Sequence, residues 1–146
     1  MKQNLIEHWD EEHGVARCVL KYRMSSGAYL EGIGIAECHS EDIAFMSRLT
    51  GSVIAQYRAE LDLLKKINQY EISPSIMAVK HIYCTMTNSK RYNPDSYEAN
   101  RIKKELAHLM DEYTENKNLM KIIKEELKQY IEQKDKLYRR IQEGQK

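Results

Sequence analysis

The sequence has no Cys-x-x-Cys pair, no glycine-rich phosphate loop, no Gly-x-Ser-x-Gly elbow and no apolar run near the roughly 20 residues that span a bilayer. Each absence removes a class of protein. Cys18, Cys38 and Cys84 are too scattered for a disulfide framework or a zinc knuckle, and reduced thiols in a cytosol are the simplest account. Met1 to Asp10 lacks the apolar core of a secretion signal, so a soluble, cytoplasmic protein is expected. Charge of one sign is missing too: 23 basic residues face 22 acidic ones, which argues against nucleic-acid binding through a broad basic face.

Catalytic and metal-binding patterns are equally sparse. His8, His13, Cys38, His39, His81 and His108 include no pair at helical ligand spacing with an acidic partner, so no metal site is expected. Gly32-Ile33-Gly34 lies in a strand pattern and lacks both the third glycine and the following helix start. The expectation is a protein that is not an enzyme and carries no cofactor.

What the sequence does contain is periodicity. Val15 to Arg23 and Tyr29 to Cys38, joined through Ser25-Ser26-Gly27, read as a two-stranded hairpin. In the second strand, Gly32, Gly34 and Ala36 alternate with Ile33 and Ile35, which leaves one small face for a helix to approach closely. Ser40 to Asp42 supplies cap candidates for a helix to about Asn68, with Gly51 either a close packing point or a break. Ser73-Pro74 and Asn93-Pro94 each read as the opening of a further helix, because proline's missing N–H costs nothing in the first turn. The last helix carries a 4-3 stripe from Ile102 to Ile141, and ten of its twelve positions are apolar or aromatic. Asn116 and Lys134 are the exceptions. Such a stripe needs a partner, for which a second copy of the chain is expected.

The fold class is therefore α+β: a two-stranded β-hairpin followed by three or four helices, the last long and coiled-coil-like. The 146 residues make one domain, with a ligand-binding part over 1–92 and a packing and oligomerisation helix over 93–146.

One segment combines the groups that a nucleotide needs. Tyr83, Thr85, Asn88, Arg91, Tyr92 and Asn93, with Arg101 just beyond, surround the connection into the last helix. They offer rings for a base, guanidinium forks for phosphate and short polar groups for ribose. The alternative is a solvated loop with its tyrosines partly packed. Arg58, mid-helix among apolar neighbours, is either a salt-bridged arginine or a further ligand contact, according to whether its guanidinium points into a cleft.

The run Gly34-Ile35-Ala36-Glu37-Cys38-His39-Ser40-Glu41-Asp42, followed by Gly51-Ser52-Val53-Ile54-Ala55-Gln56-Tyr57-Arg58-Ala59, resembles a strand-to-helix signature of small phage proteins. Among these it most resembles the Thoeris anti-defence 1 family. The resemblance implies a homodimeric or larger sponge in the cytoplasm of an infected bacterial host. Such a protein sequesters a cyclic ADP-ribose isomer, glycocyclic ADP-ribose, in a pocket shared between protomers and leaves it intact. It further implies that Arg58 is a pocket arginine, that Tyr83 stacks on adenine and that Asn93 makes a polar contact. Arg101 and Lys104 are the nearest candidates for its basic contacts from the last helix. Two rivals stay open: a double-stranded-RNA-binding-like module, and a coiled-coil protein–protein adaptor.

Overall fold

The computed structural model describes residues 2–10, 13–37 and 48–144. Three strands, β1 (Lys2–Asp10), β2 (Val15–Arg23) and β3 (Tyr29–Glu37), form an antiparallel sheet in the order β1-β2-β3. The expected hairpin is β2–β3, with Gly27 at φ +92° in its turn. The sequence reading missed β1. Its residues, Lys-Gln-Asn-Leu-Ile-Glu-His-Trp-Asp, include a single β-branched side chain. Pairing to β2 through a turn with Gly14 at φ +64°, rather than local propensity, accounts for the strand.

One face of the sheet meets α1 (Arg48–Ile67). Ala16, Cys18, Leu20 and Ala36 are buried there against Ile54, Ala55, Ala59 and Leu63. The approach is as close as the small face foretells: a Cβ on Gly34 would meet the Ala55 carbonyl and the Ala59 amide, and one on Gly32 the Ala59 carbonyl and Leu63. Gly51 is buried within the uninterrupted helix, so it is a packing point and not a break. On the opposite face Ile35 remains exposed. The proposed caps at Ser40 to Asp42 lie outside the described residues.

The edge of β3 that has no neighbouring strand among the described residues is closed by side chains of α1. Arg58 Nη1 donates to the Ile35 carbonyl at 2.7 Å, Asp62 Oδ2 accepts the Ile33 N–H at 2.8 Å, and Lys66 Nζ donates to the Glu31 carbonyl at 2.7 Å. The match is geometric. Residues four apart on a helix advance about 6 Å, and outward-facing backbone groups of a strand recur at roughly 6.6 Å. Edge protection of this kind removes a template for unwanted pairing.

Helix α1 does not end before Ser73. It runs through a wide turn, Asn68–Ile72, into α2 (Ser73–Thr87), and the Ser73 N–H bonds the Asn68 carbonyl five residues back. Proline inside a helix removes one bond and crowds the carbonyl four residues earlier; the widened turn is where this chain accommodates Pro74. Among the apolar inward positions Ala59, Leu63 and Ile67 step by four and Ile72 follows at five, with the buried Asn68 between them.

The final helix, α3 (Tyr97–Gly144), is continuous over 48 residues, about 72 Å. Its start also differs from the expectation. Asn93 Oδ1 accepts the Asp95 N–H at 2.9 Å in a turn of its own, and Ser96 Oγ caps the helix through the Ala99 N–H at 3.2 Å.

Helix α3 folds back along α1 and α2, so much of the stripe packs within the chain, while Leu137 and Ile141 at its end stay exposed. Tyr113, Leu127 and Tyr130 pack on the core, and the Tyr130 ring lies 6.4 Å from that of Tyr57. Asn116 is buried, and its Nδ2 donates to Asn68 Oδ1 at 2.9 Å, while Asn68 Nδ2 donates to the Tyr113 carbonyl at 3.1 Å. This polar lock fixes the register of the helix pair. Lys134 pairs with Asp135 at 3.3 Å and lies over the Tyr138 ring.

Candidate functional site

The residues singled out in the sequence fall into separate places. At the α2–α3 connection, Tyr83 and Tyr92 share a hydrogen bond through their hydroxyls, and this bond is the main cause holding the Tyr92 hydroxyl above the ordinary tyrosine pKa. Thr85 Oγ1 donates back to the His81 carbonyl at 3.0 Å. Asn88 is exposed and ends α2 through its backbone N–H, while the exposed Arg91 bonds Ser89 Oγ through its own N–H. Asn93 is engaged in its turn. Arg101 lies in a groove between α2 and α3 with Val79, Ile82, Met86 and Tyr97, about 450 Å³ in volume, and Lys104 is exposed outside it.

Arg58 is far from this group. Along the helical path, about 37 Å separates it from Tyr83 at 1.5 Å per residue. A small ligand inside one chain cannot touch both. Its guanidinium is engaged by the Ile35 carbonyl at the β3 edge, a backbone acceptor in place of the salt bridge expected as the alternative to a ligand contact.

A different site lies where the wide turn crosses α3. A cleft of about 550 Å³ is lined by Lys65 of α1, Asn68, Gln69 and Ser73 of the turn and its exit, and Tyr113, Lys117, Met120, Lys121 and Lys124 of α3. The three α3 lysines stand at i, i+4 and i+7, hence on one side of that helix, beside the stripe that packs inward. Lys117 Nζ lies 5.0 Å from the centre of the Tyr113 ring. The Asn68–Asn116 lock holds the floor. No carboxylate lines this cleft, so it concentrates positive potential in a chain whose total charge is close to zero.

The sequence reading did not find these lysines. The signal was present in the spacing of Lys117, Lys121 and Lys124, but the fourth cation, Lys65, joins them only through the antiparallel pairing of α1 with α3.

Other cavities have the opposite character. One of about 440 Å³ is lined by Tyr22, Ser25, Glu71, Glu105 and Glu112. Glu71 Oε1 accepts the Ser25 N–H at 2.8 Å, and its Oε2 is buried. Burial first, then a hydrogen bond to Glu71 and the charges of Glu71 and Glu112, push the Tyr22 hydroxyl up to about 12. An apolar groove of about 310 Å³ between α1 and α3 is lined by Leu63, Leu64, Ile67, Leu119, Ile122 and Ile123, with Glu60 and Glu126 at its rim. Among the described residues no group of three or more His, Cys, Asp or Glu side chains is placed to hold a metal ion, and no helix is long and apolar enough to cross a membrane.

Comparison with protein-family models, with curated proteins and with solved structures finds no match to this chain.

Proposed function

We propose that the chain is a non-enzymatic binding protein for a small phosphorylated nucleotide. The resemblance noted in the sequence makes the ligand a cyclic ADP-ribose isomer, glycocyclic ADP-ribose. The protein would then be a phage-encoded sponge that blocks Thoeris defence by holding the signal. The observation that carries the reading is the lysine-lined cleft, whose four cations have no carboxylate among the groups around them. Its volume of about 550 Å³ falls within the range of small-molecule sites. Ammonium groups bind phosphate without supplying a nucleophile or a general base, which suits capture without conversion.

Self-association belongs to the same proposal. Arg58 and the Tyr83–Tyr92 pair can serve one ligand only if they come from different protomers. Ile122, 55% exposed beside Leu119, offers apolar surface outside the stripe for such a contact.

The test is calorimetric titration with cyclic ADP-ribose isomers and linear nucleotides, followed by heat release and chromatography of the ligand. The expected outcome is saturable binding, a raised melting temperature and recovery of the ligand intact. A cleaved product, or no binding by any nucleotide, overturns the reading.

A further inference from the structure

We infer that the cleft formed by Lys65, Lys117, Lys121 and Lys124 recognises a chain of two or three linked phosphates, and reads the number of phosphates rather than the base. This inference rests on the reading of the protein as a nucleotide-binding one and names the part of the ligand that does the binding.

Three observations carry it. First, the cleft differs in kind from the other cavities. Glu60 and Glu126 rim the apolar groove, Glu98 and Glu105 line the α2–α3 groove, and Glu71, Glu105 and Glu112 line the acidic cavity, whereas the lysine cleft has no acid. Three lysines elsewhere are paired, Lys66 with Asp62 at 2.9 Å, Lys134 with Asp135 at 3.3 Å and Lys21 with Glu31 at 3.9 Å, whereas others on the surface, such as Lys103 and Lys136, stand alone among the described residues; what sets the cleft apart is four unpaired cations gathered in one place. None of the four cleft lysines has an ion-pair partner among the described residues. Like charges at i, i+4 and i+3 on α3 oppose one another until an anion lies between them.

Second, the spacing suits an extended anion. Lys117 to Lys124 spans about 10 Å of helix, more than one phosphate can bridge and within reach of a short phosphate chain met by flexible lysine stems. Lys65 faces them from α1.

Third, two of the groups best suited to read a base are already engaged. Lys117 covers the Tyr113 ring at 5.0 Å, and the Asn68 side chain is committed at both ends, to the Tyr113 carbonyl at 3.1 Å and to Asn116 at 2.9 Å. No arginine lines the cleft to orient a planar group. Beside the Gln69 amide and the Ser73 hydroxyl, four ammonium groups remain, so charge density dominates what the cleft offers.

The experiment is calorimetry on the full chain with orthophosphate, pyrophosphate, tripolyphosphate, adenosine, AMP and ADP at fixed salt. Affinity is expected to rise by roughly tenfold for each added phosphate, with pyrophosphate and ADP alike and adenosine silent. Lys121→Gln with Lys124→Gln should weaken pyrophosphate by about tenfold or more without lowering the melting temperature, whereas Lys103→Gln with Lys136→Gln should leave binding unchanged. Equal affinity for adenosine, AMP and ADP overturns the inference and leaves the binding function standing. Tight binding of duplex RNA with tripolyphosphate inert also overturns it, in favour of a nucleic-acid surface. Failure of every phosphate and nucleotide to bind removes the proposed function itself.

Discussion

Asp62 Oδ2 accepts the backbone N–H of Ile33 at 2.8 Å and also receives Lys66 Nζ at 2.9 Å, so one carboxylate closes the sheet edge and holds the next cation of the strip. Asp62→Ala leaves a strand N–H without its charged acceptor. The expected loss is about 1–3 kcal/mol in urea unfolding, with an unchanged denaturant slope.

Arg58→Ala separates two roles. As an edge residue its removal lowers stability by less than about 1 kcal/mol and leaves nucleotide affinity untouched, since its bond is exposed. Loss of affinity at constant melting temperature would instead make it a ligand contact contributed to a neighbouring protomer.

Gly34→Ala tests the close approach of α1. Its methyl group would enter the backbone of Ala55 and Ala59, so a loss of roughly 3 kcal/mol or more is expected by thermal unfolding. Gly144→Ala, with nothing near it, serves as the neutral comparison.

The Asn68–Asn116 pair calls for a double-mutant cycle. Asn116→Ala strands Oδ1 of the Asn68 side chain in a buried site and is expected to cost about 1–3 kcal/mol. A coupling of about 0.5 kcal/mol or more with Asn68→Ala measures the lock; additive single effects would show that the two side chains do not act together.

Tyr22 gives a pH dependence of defined sign. Its hydroxyl ionises near 10.0 when unfolded and about 12 when folded, so the fold favours the neutral form. That contribution is complete below pH 10 and is lost as pH rises through 12. Tyr22→Phe should show a shallower loss of stability across this window than the parent chain, measured by chemical unfolding at each pH; parallel curves would exclude the effect.

Much of the architecture was legible where periodicity was strong. The small face of Gly32, Gly34 and Ala36 announced a closely packed helix, and the phase of the stripe across Thr114 to Asn118 kept α3 in one piece. Four things were hidden for physical reasons. Strand β1 has little intrinsic preference and depends on pairing. Pro74 looks the same at the start of a helix as in a helix that widens to admit it. The partner of a heptad stripe is not encoded in the stripe, and here α1 and α2 of the same chain cover much of it while Leu137 and Ile141 stay exposed. The lysine cleft was hidden for the related reason that Lys65 and Lys121 meet only through that pairing.

The wide turn has an implication for insertions and deletions. Because a helix advances about 100° per residue, removing any one residue from Asn68–Ile72 would let the backbone relax to regular winding but rotate everything beyond it by that angle. Ile72 and Ile76 would swing off the core, and the tyrosine end of α2 would turn with them. Length at this point is thus guarded more strictly than identity: an exchange of side chains there is a local matter, whereas a lost codon would re-aim the whole distal arm.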